Sequence, residues 1–315
     1  MNKDNKRQRL LELFLARVLK YEDSMRYIQF EKSKIKRALY GFKKFSFSYT
    51  LYNLSRLRIP GLFWDIHSEI FSGRQMVWPV RDIGANIFSM YGISPHKSER
   101  KLALWIMKNL EESDIFYDVG AHLGYYTALS EEILTKGEVH AFEANKKLCK
   151  YLDKNFSGSE NVYVLCTAIA DSVGEVDFYD ATDTEDSSTS SRFNLLWMHI
   201  SPSRIDATTL DEYVKMGNKP PTVIKFDIEG GEYEAILGAL NLIEKYKPRI
   251  IMEVWGGEMG KKYSDKAVKK LQELGYKAFS LESDGSISEE AIDDPVGSIP
   301  NSSNSARDNF IFLVK

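Results

Sequence analysis

The chain has 315 residues, 43% of them hydrophobic and 12% aromatic, with a formal net charge of −3. This composition excludes a chain that is disordered throughout, and the length allows one large domain with an appendage or two domains. The two cysteines, Cys149 and Cys166, are too few for a secreted disulfide scaffold, so reduced thiols in a cytoplasmic protein are expected.

Residues 1–95 are predicted to form a basic, mainly helical N-terminal region. Residues 1–60 carry 15 Lys and Arg against 5 Asp and Glu, whereas the other residues carry 27 against 40. Apolar residues recur at helical spacing between Leu10 and Leu19, which predicts an amphipathic helix over 7–27. Packing against the rest of the protein, peripheral contact with an anionic membrane, and homodimer contacts remain alternatives for this region. Nucleic acid is not expected, because no RNA-binding motif is present, and neither a membrane span nor a signal peptide is predicted.

Residues 96–315 alternate between short apolar strands and helices. This pattern predicts an α/β fold with a doubly wound, mostly parallel sheet and an antiparallel last strand. The stretch 181–191, rich in Ser, Thr and Asp, is predicted to be a surface loop, with a lid over the substrate as the alternative. The predicted strands span residues 114–119, 138–142, 161–167, 222–226, 249–254, 276–281 and 309–314, and an extra strand is predicted over residues 175–179.

The first of these strands ends in the sequence YDVGAHLG at residues 117–124. Glycines at a strand–helix turn allow the backbone to approach a ligand. His122 stands where the dinucleotide-binding fingerprint requires Gly, and Asp118 would repel phosphate groups, so a nicotinamide-dependent oxidoreductase is disfavoured. An acidic turn favours a ligand with a cationic or amino group, such as S-adenosylmethionine (SAM). The alternative is a turn that serves packing alone.

Two more strand ends carry carboxylates. Glu143 closes the next strand, 25 residues after Asp118, where an acidic residue can accept hydrogen bonds from both ribose hydroxyls. The strand within IKFDIEGGE, residues 224–232, leads into Asp227 and Glu229. Because buried charge is costly unless it is paired or used, these residues are predicted to be functional. The alternatives are a solvated Glu143 and a Lys225 that merely neutralises Asp227.

Six segments of the second part of the chain form a recognisable series. They are FYDVGAHLGYYT (116–127), VHAFEA (139–144), AIAD (168–171), TTLDEY (208–213), IKFDIEGGE (224–232) and PRIIME (248–253). Together they resemble the FkbM family of SAM-dependent methyltransferases, in the family's order and over about residues 95–315. The resemblance implies a class I methyltransferase (Rossmann-like) fold, with a seven-stranded sheet whose last strand is antiparallel. It also implies methyl transfer to oxygen, often on sugars of polysaccharides, glycolipids or natural products.

The resemblance also implies roles for individual residues. Glu143 would hold the ribose, Ala168 would line the adenine site, and Asp227 would lie beside the sulfonium. His122 departs from the Asn that the family shows more often at this position. The turn around the methionine part of SAM would consist of Asp118, Gly120, Ala121, His122 and Gly124.

A sugar hydroxyl is a poor nucleophile, so a general base is expected. Asp227, Glu229 and Glu253 are the predicted catalytic residues, because they lie at the ends of two consecutive strands. The same carboxylates suit Mg²⁺, but a site without a metal is favoured. His140 and His199 are alternative candidates for the general base. Trp255 either stacks on a sugar face or packs in the core, and both alternatives remain open.

The sequence therefore predicts a cytoplasmic SAM-dependent O-methyltransferase that acts on a sugar, a glycan, a glycolipid or a glycosylated metabolite. Two alternatives remain open: a non-catalytic nucleoside-binding scaffold, and a methyltransferase that acts on RNA.

Overall fold

The computed structural model describes residues 3–30, 33–36, 39, 65–79, 88–178, 203–300 and 306–314. The chain divides into two compact units, residues 1–100 and 101–315. The predicted boundary between a basic N-terminal region, residues 1–95, and a catalytic domain, residues 96–315, stays a prediction. The predicted loop 181–191 and His199 lie outside the described residues.

The first unit contains helix α1 (Lys3–Phe30) and an antiparallel pair of strands, β1 (Asp65–Glu69) and β2 (Gln75–Pro79). The helix predicted over 7–27 is confirmed. Phe14 of α1 is fully buried, and its ring lies edge-on to Phe71 with 5.0 Å between the centroids. In the described parts of the chain, no helix combines the length and apolarity needed to cross a membrane.

The second unit is built on a seven-stranded sheet. Its strands are β3 (Ile115–Val119), β4 (Glu138–Phe142), β5 (Val162–Leu165), β9 (Val223–Phe226), β10 (Arg249–Trp255), β11 (Tyr276–Ser280) and β12 (Arg307–Val314). Their order in the sheet is β11–β12–β10–β9–β3–β4–β5. β12 is antiparallel to both of its neighbours, and the five strands from β10 to β5 are parallel. This confirms the predicted class I methyltransferase architecture with an antiparallel last strand.

A smaller sheet has the order β6–β8–β7, formed by β6 (Ala168–Ile169), β7 (Gly174–Phe178) and β8 (Ser203–Thr208). The helices after α1 are α2 (Lys97–Asn109), α3 (Tyr125–Ile133), α4 (Lys146–Phe156), α5 (Leu210–Lys215), α6 (Glu232–Leu237), α7 (Leu240–Tyr246), α8 (Gly257–Tyr263), α9 (Asp265–Glu273) and α10 (Pro295–Ser298).

The centre of the large sheet is covered on both faces. Every residue of β3 and β9 is buried, and because side chains alternate along a strand, both faces must be shielded from water. Going from β3, the chain fills the sheet first towards β4 and β5 and then returns to β9 on the other side. The strand order therefore reverses between β3 and β9, where ligands bind at the carboxyl ends of the strands in open α/β sheets.

Cys149 and Cys166 form a disulfide, with 5.6 Å between their Cα atoms. The expectation of two reduced thiols is therefore wrong for this structure. Cys149 lies in the first turns of α4, and Cys166 directly follows β5. Their proximity depends on how α4 packs beside β5, which their spacing in the sequence did not reveal.

Candidate active site

The turn between β3 and α3 lies against the ends of two neighbouring strands. The backbone N–H groups of Gly120 and Ala121 both donate to the carbonyl oxygen of Phe142, over 2.9 and 3.0 Å. Gly120 has a φ of +84°, and a Cβ there would lie 1.9 Å from the carbonyl oxygen of Asp227. Glycine is therefore required, because a side chain would clash with the backbone that follows β9.

Gly124 ends the same turn and caps α3 with a φ of +88°. A Cβ at this position would lie 2.4 Å from the ring of Phe156 in α4. The two glycines that the resemblance assigned to the turn are thus required by the geometry of the turn itself, whichever ligand it holds.

A buried charge cluster joins β3 to β9. Lys225 Nζ lies 2.9 Å from Asp227 Oδ2 and 3.6 Å from Asp118 Oδ1, and the side chains of Lys225 and Asp118 are 2% and 0% exposed. Thr127 donates to Asp118 Oδ2 over 2.7 Å. Burial raises the pKa of Asp118, although Lys225 and Thr127 oppose the shift. Lys225 thus neutralises Asp227, as the alternative in the sequence analysis predicted. It also compensates the charge of Asp118, which is predicted to contact the cofactor.

Glu143 links the loops that follow β3 and β4. Its two carboxylate oxygens accept hydrogen bonds from the backbone N–H groups of His122 and Asn145, each over 2.8 Å. Burial raises the pKa of Glu143, and His122 and the two backbone donors oppose that shift. The alternative of a solvated carboxylate is wrong, because Glu143 is 5% exposed. Ala168 begins β6, three residues after Leu165, whose carbonyl oxygen accepts from Glu143 N–H over 3.0 Å.

Asp227 follows β9, and its side chain is 23% exposed. Burial acts to raise its pKa, but Lys225 and then Arg307 and His122 outweigh that effect, so the pKa lies below its ordinary value. Asp227 is therefore an ionised carboxylate at neutral pH and a weak base.

Arg307 joins the other two predicted carboxylates, Glu229 and Glu253. Its Nη1 lies 3.0 Å from Glu229 Oε1 and 3.2 Å from Glu253 Oε2. Burial acts to lower the pKa of Arg307, but Glu253, Glu229 and Asp227 raise it above its ordinary value. The sequence interpretation missed Arg307. A usable signal existed, since an antiparallel last strand must begin at the edge where the parallel strands end.

Glu232 organises the loop between β9 and α6. Its carboxylate accepts the backbone N–H groups of Ile228 and Gly230 over 3.0–3.2 Å. Glu229 lies between them with a φ of +54°, a left-handed conformation that this closed loop sustains. Burial raises the pKa of Glu232 to about 7. In the sequence this residue indicated only a helix start, whereas it also shapes the loop that carries Glu229.

The structure favours the structural alternatives for two aromatic residues. His140 is 2% exposed, its Nδ1 lies 2.8 Å from the hydroxyl of Tyr213, and its ring stacks on Tyr163. Trp255 is 7% exposed, and the guanidinium carbon of Arg307 lies 5.0 Å from its ring centroid. His140 is therefore a packed core residue, and Trp255 is a buried platform for Arg307 rather than an open sugar-stacking surface.

The carboxylates of Asp227, Glu229 and Glu253 also meet a geometric requirement for a cation. One oxygen from each lies within 4.8 Å of the others, a spacing that suits oxygen ligation. Arg307 already contacts two of the three and places a positive charge among them. This arrangement favours the predicted site without a metal, which stays a prediction.

Comparison with known proteins identifies the same part of the chain. A family model described as the methyltransferase FkbM domain matches residues 118–278, which are 161 of the 315 residues. The hexuronic acid methyltransferase AglP of Haloferax volcanii is 25% identical over 187 residues, which are 58% of this chain and 67% of that protein.

The solved structures that match this chain include an FkbM methyltransferase from Methylobacillus flagellatus, with 15% identity and a TM-score of 0.43. The match covers 65% of this chain and 44% of that protein. Fibrillarin from Aeropyrum pernix, solved with bound SAM, matches with 13% identity and a TM-score of 0.39, over 68% of this chain and 74% of its own. The assignment itself rests on the family model, which spans the turn after β3, the charge cluster and the carboxylates of the site. This chain belongs to the FkbM family of methyltransferases.

Proposed function

We propose that the chain is a SAM-dependent O-methyltransferase that transfers a methyl group to a hydroxyl of a sugar, in a glycan or in a glycosylated metabolite. The observation that carries the proposal is the convergence of three loops at the point where the strand order reverses. There, the turn after β3 contacts Glu143 through His122 N–H and Asp227 through the close approach of Gly120.

The residues fit the nucleoside part of SAM. Each oxygen of Glu143 accepts one backbone N–H. A carboxylate oxygen has two acceptor positions, so one remains on each oxygen. Two acceptors on one carboxylate match the two adjacent hydroxyls of a ribose. Ala168 would then contact the adenine, because the end of β5 lies beside Glu143.

The charges fit the methionine part. Asp118 and Asp227 share Lys225, so the buried trio carries one net negative charge when both carboxylates are ionised. The methionine part of SAM has an ammonium, a carboxylate and a sulfonium, so its single net positive charge would balance the trio. At Gly120 and Gly124 the backbone lies close to neighbouring segments. Ala121 and His122, which lie between these glycines, would therefore line the site of the methionine part.

When bound, SAM would supply an electrophilic methyl group to an acceptor oxygen held in line with the carbon–sulfur bond, and S-adenosylhomocysteine would be the leaving group. The chain's own residues must hold the acceptor and accept its proton. The lowered pKa of Asp227 keeps it ionised, which suits a position beside a positive charge better than the role of base. Glu229 and Glu253, which both contact Arg307, remain as the candidates to orient the hydroxyl and receive its proton.

The acceptor class rests on the relative from Haloferax volcanii, whose name specifies a hexuronic acid. A sugar acceptor is therefore proposed, with a glycolipid as one form of it. Cytoplasmic localisation, peripheral membrane contact through the basic N-terminal region, and a homodimer stay predictions. Nucleic acid is not expected as a partner.

Calorimetry with SAM and S-adenosylhomocysteine tests the cofactor site, with NADH as a control ligand. We expect micromolar binding of both sulfur ligands, about −8 kcal/mol, and none of NADH. Glu143→Gln keeps an acceptor oxygen for one of the two backbone N–H groups but removes the second acceptor and the charge, so affinity should fall by about tenfold or more. Glu160→Gln, at an exposed position, is the matched control. Folded wild-type protein that binds neither sulfur ligand would contradict the proposal.

Transfer of a labelled methyl group tests the acceptor. Oligosaccharides with and without hexuronic acid, and total RNA, would be incubated with labelled SAM, and the products located by mass spectrometry. We expect methylation of a sugar hydroxyl by the wild type and its loss in Glu253→Gln. The control variant Glu258→Gln, at an exposed position in α8, should retain it. Binding without transfer to any acceptor would favour the scaffold alternative, and labelled RNA would favour the RNA alternative.

A further inference from the structure

The disulfide lies beside both segments that are proposed to hold the nucleoside. On one side, Cys149 N–H donates to the carbonyl oxygen of Asn145 over 2.8 Å. Asn145 caps α4, and its own N–H donates to Glu143 Oε1 over 2.8 Å. The first turns of α4, which contain Cys149, are thus hydrogen-bonded to the residue that binds the carboxylate proposed for the ribose.

The other cysteine is equally close to the site. Cys166 directly follows Leu165, whose carbonyl oxygen accepts the backbone N–H of Glu143 over 3.0 Å. Two residues after Cys166, the chain reaches Ala168, the position proposed for the adenine. The Cys149–Cys166 disulfide therefore links the start of α4 covalently to the segment that follows β5, and both of these lie beside Glu143.

The two cysteines differ in exposure. Cys149 is fully buried, whereas Cys166 is exposed. A small thiol or disulfide in solution can therefore reach the bond from the side of Cys166. The two cysteines are 17 positions apart in the sequence, so the backbone between them does not by itself keep the reduced thiols close together.

We propose that Cys149 and Cys166 are a reversible redox-modification site that sets the affinity of the chain for SAM; this inference rests on the proposed function. The oxidant is a low-molecular-weight disulfide such as glutathione disulfide. The thiolate of Cys166 displaces one glutathione and forms a mixed disulfide, and the thiolate of Cys149 then displaces the second. The protein pair loses two electrons and two protons, and two molecules of glutathione are released in the thiol form.

The direction of the effect follows from preorganisation. A ligand that binds between two segments must bear the cost of holding them in place, and a covalent link between those segments reduces that cost. The oxidised protein holds α4 and the end of β5 together before the ligand arrives. Oxidised protein is therefore expected to bind SAM more tightly than reduced protein.

The test compares S-adenosylhomocysteine binding by the full chain in two redox states, prepared with glutathione disulfide or with a phosphine reductant. Thiol alkylation and mass spectrometry establish the state of the cysteines. EDTA is present throughout, because the sulfur atoms and a carboxylate oxygen of Asp153 lie within 4.8 Å of one another and could bind a cation after reduction. The dissociation constant should increase at least fivefold on reduction and recover on reoxidation.

Two further measurements keep the test decisive. Cys166→Ser should bind like the reduced wild type and should not respond to either reagent. Hydrogen exchange of residues 143–168 without ligand should be faster in the reduced wild type, which gives a readout that needs neither a variant nor the cofactor.

Three outcomes would count against the inference. Dissociation constants that differ by less than fivefold between the two states would overturn it and leave the proposed function intact. Failure of the cysteines to pair after treatment with glutathione disulfide would also overturn it. Absence of binding in both states would contradict the proposed function, and the claim about affinity would fall with it.

Discussion

Replacing Lys225 by Met would remove a buried positive charge that faces two carboxylates. The side chain of Lys225 is 2% exposed, and its Nζ lies 3.6 Å from Oδ1 of the fully buried Asp118 and 2.9 Å from Asp227 Oδ2. Met preserves most of the apolar stem, so packing changes little. Asp118 must then either remain ionised without compensation or take up a proton. Breaking a buried ion pair at one partner costs about 3–5 kcal/mol.

Thermal and urea unfolding of the two proteins measure this cost. For a unit the size of residues 101–315, each kcal/mol lowers the melting temperature by about 2–4 °C. The expected fall is therefore about 6–20 °C. The double variant Asp118→Asn with Lys225→Met removes both charges, and Asn can still accept the hydrogen bond from Thr127. It should recover more than half of the lost stability.

The loss should also depend on pH. Burial already raises the pKa of Asp118, and removal of Lys225 raises it further. A carboxyl whose pKa is higher in the folded state contributes its stability below the unfolded pKa and loses it as the pH rises through the folded pKa. Lys225→Met should thus be less destabilising at pH 5 than at pH 8. A loss under 1 kcal/mol at pH 8, or a double variant no more stable than the single one, would refute the buried-charge argument.

Three other predictions follow from the site. Gly120→Ala should destabilise the protein more than Gly275→Ala in urea unfolding, because both glycines have φ near +85° but a Cβ meets backbone only at Gly120; equal losses would contradict the close approach. Burial raises the pKa of Glu232 to about 7, so its contribution to stability is present at low pH and is lost as the pH rises through about 7. Glu232→Gln should therefore show a smaller fall in unfolding free energy between pH 5.5 and pH 8 than the wild type, and an unchanged fall would argue against this pKa. Arg307→Met should slow methyl transfer by about tenfold or more. Arg307→Lys should recover part of the rate, and the affinity for S-adenosylhomocysteine should change little in both variants. An unchanged rate would show that Glu253 does not need this guanidinium for its role in methyl transfer.

The residue pattern predicted a doubly wound, mostly parallel sheet with an antiparallel last strand, whereas its seven strands were implied by the resemblance to the FkbM family. Buried parallel strands are short apolar runs, and those at 115–119, 138–142 and 223–226 end at acidic residues or glycines that mark the carboxyl edge. Glu143 could be placed opposite the turn after β3, because consecutive parallel strands bring their carboxyl ends to the same edge. These predictions depend on local periodicity and on chain order, which a single sequence contains.

Tertiary structure decided which charges share which partner. Register sets Arg307 opposite Trp255 on neighbouring strands, and this brings its guanidinium to Glu229 and Glu253. Cys149 and Cys166 are paired because α4 packs beside the end of β5. Such pairings depend on strand register, helix packing and burial, and these arise from contacts between residues that are distant in the chain. For that reason the sequence could indicate which strand ends form the candidate site, whereas the fold determined the ionisation of its residues and the disulfide beside it.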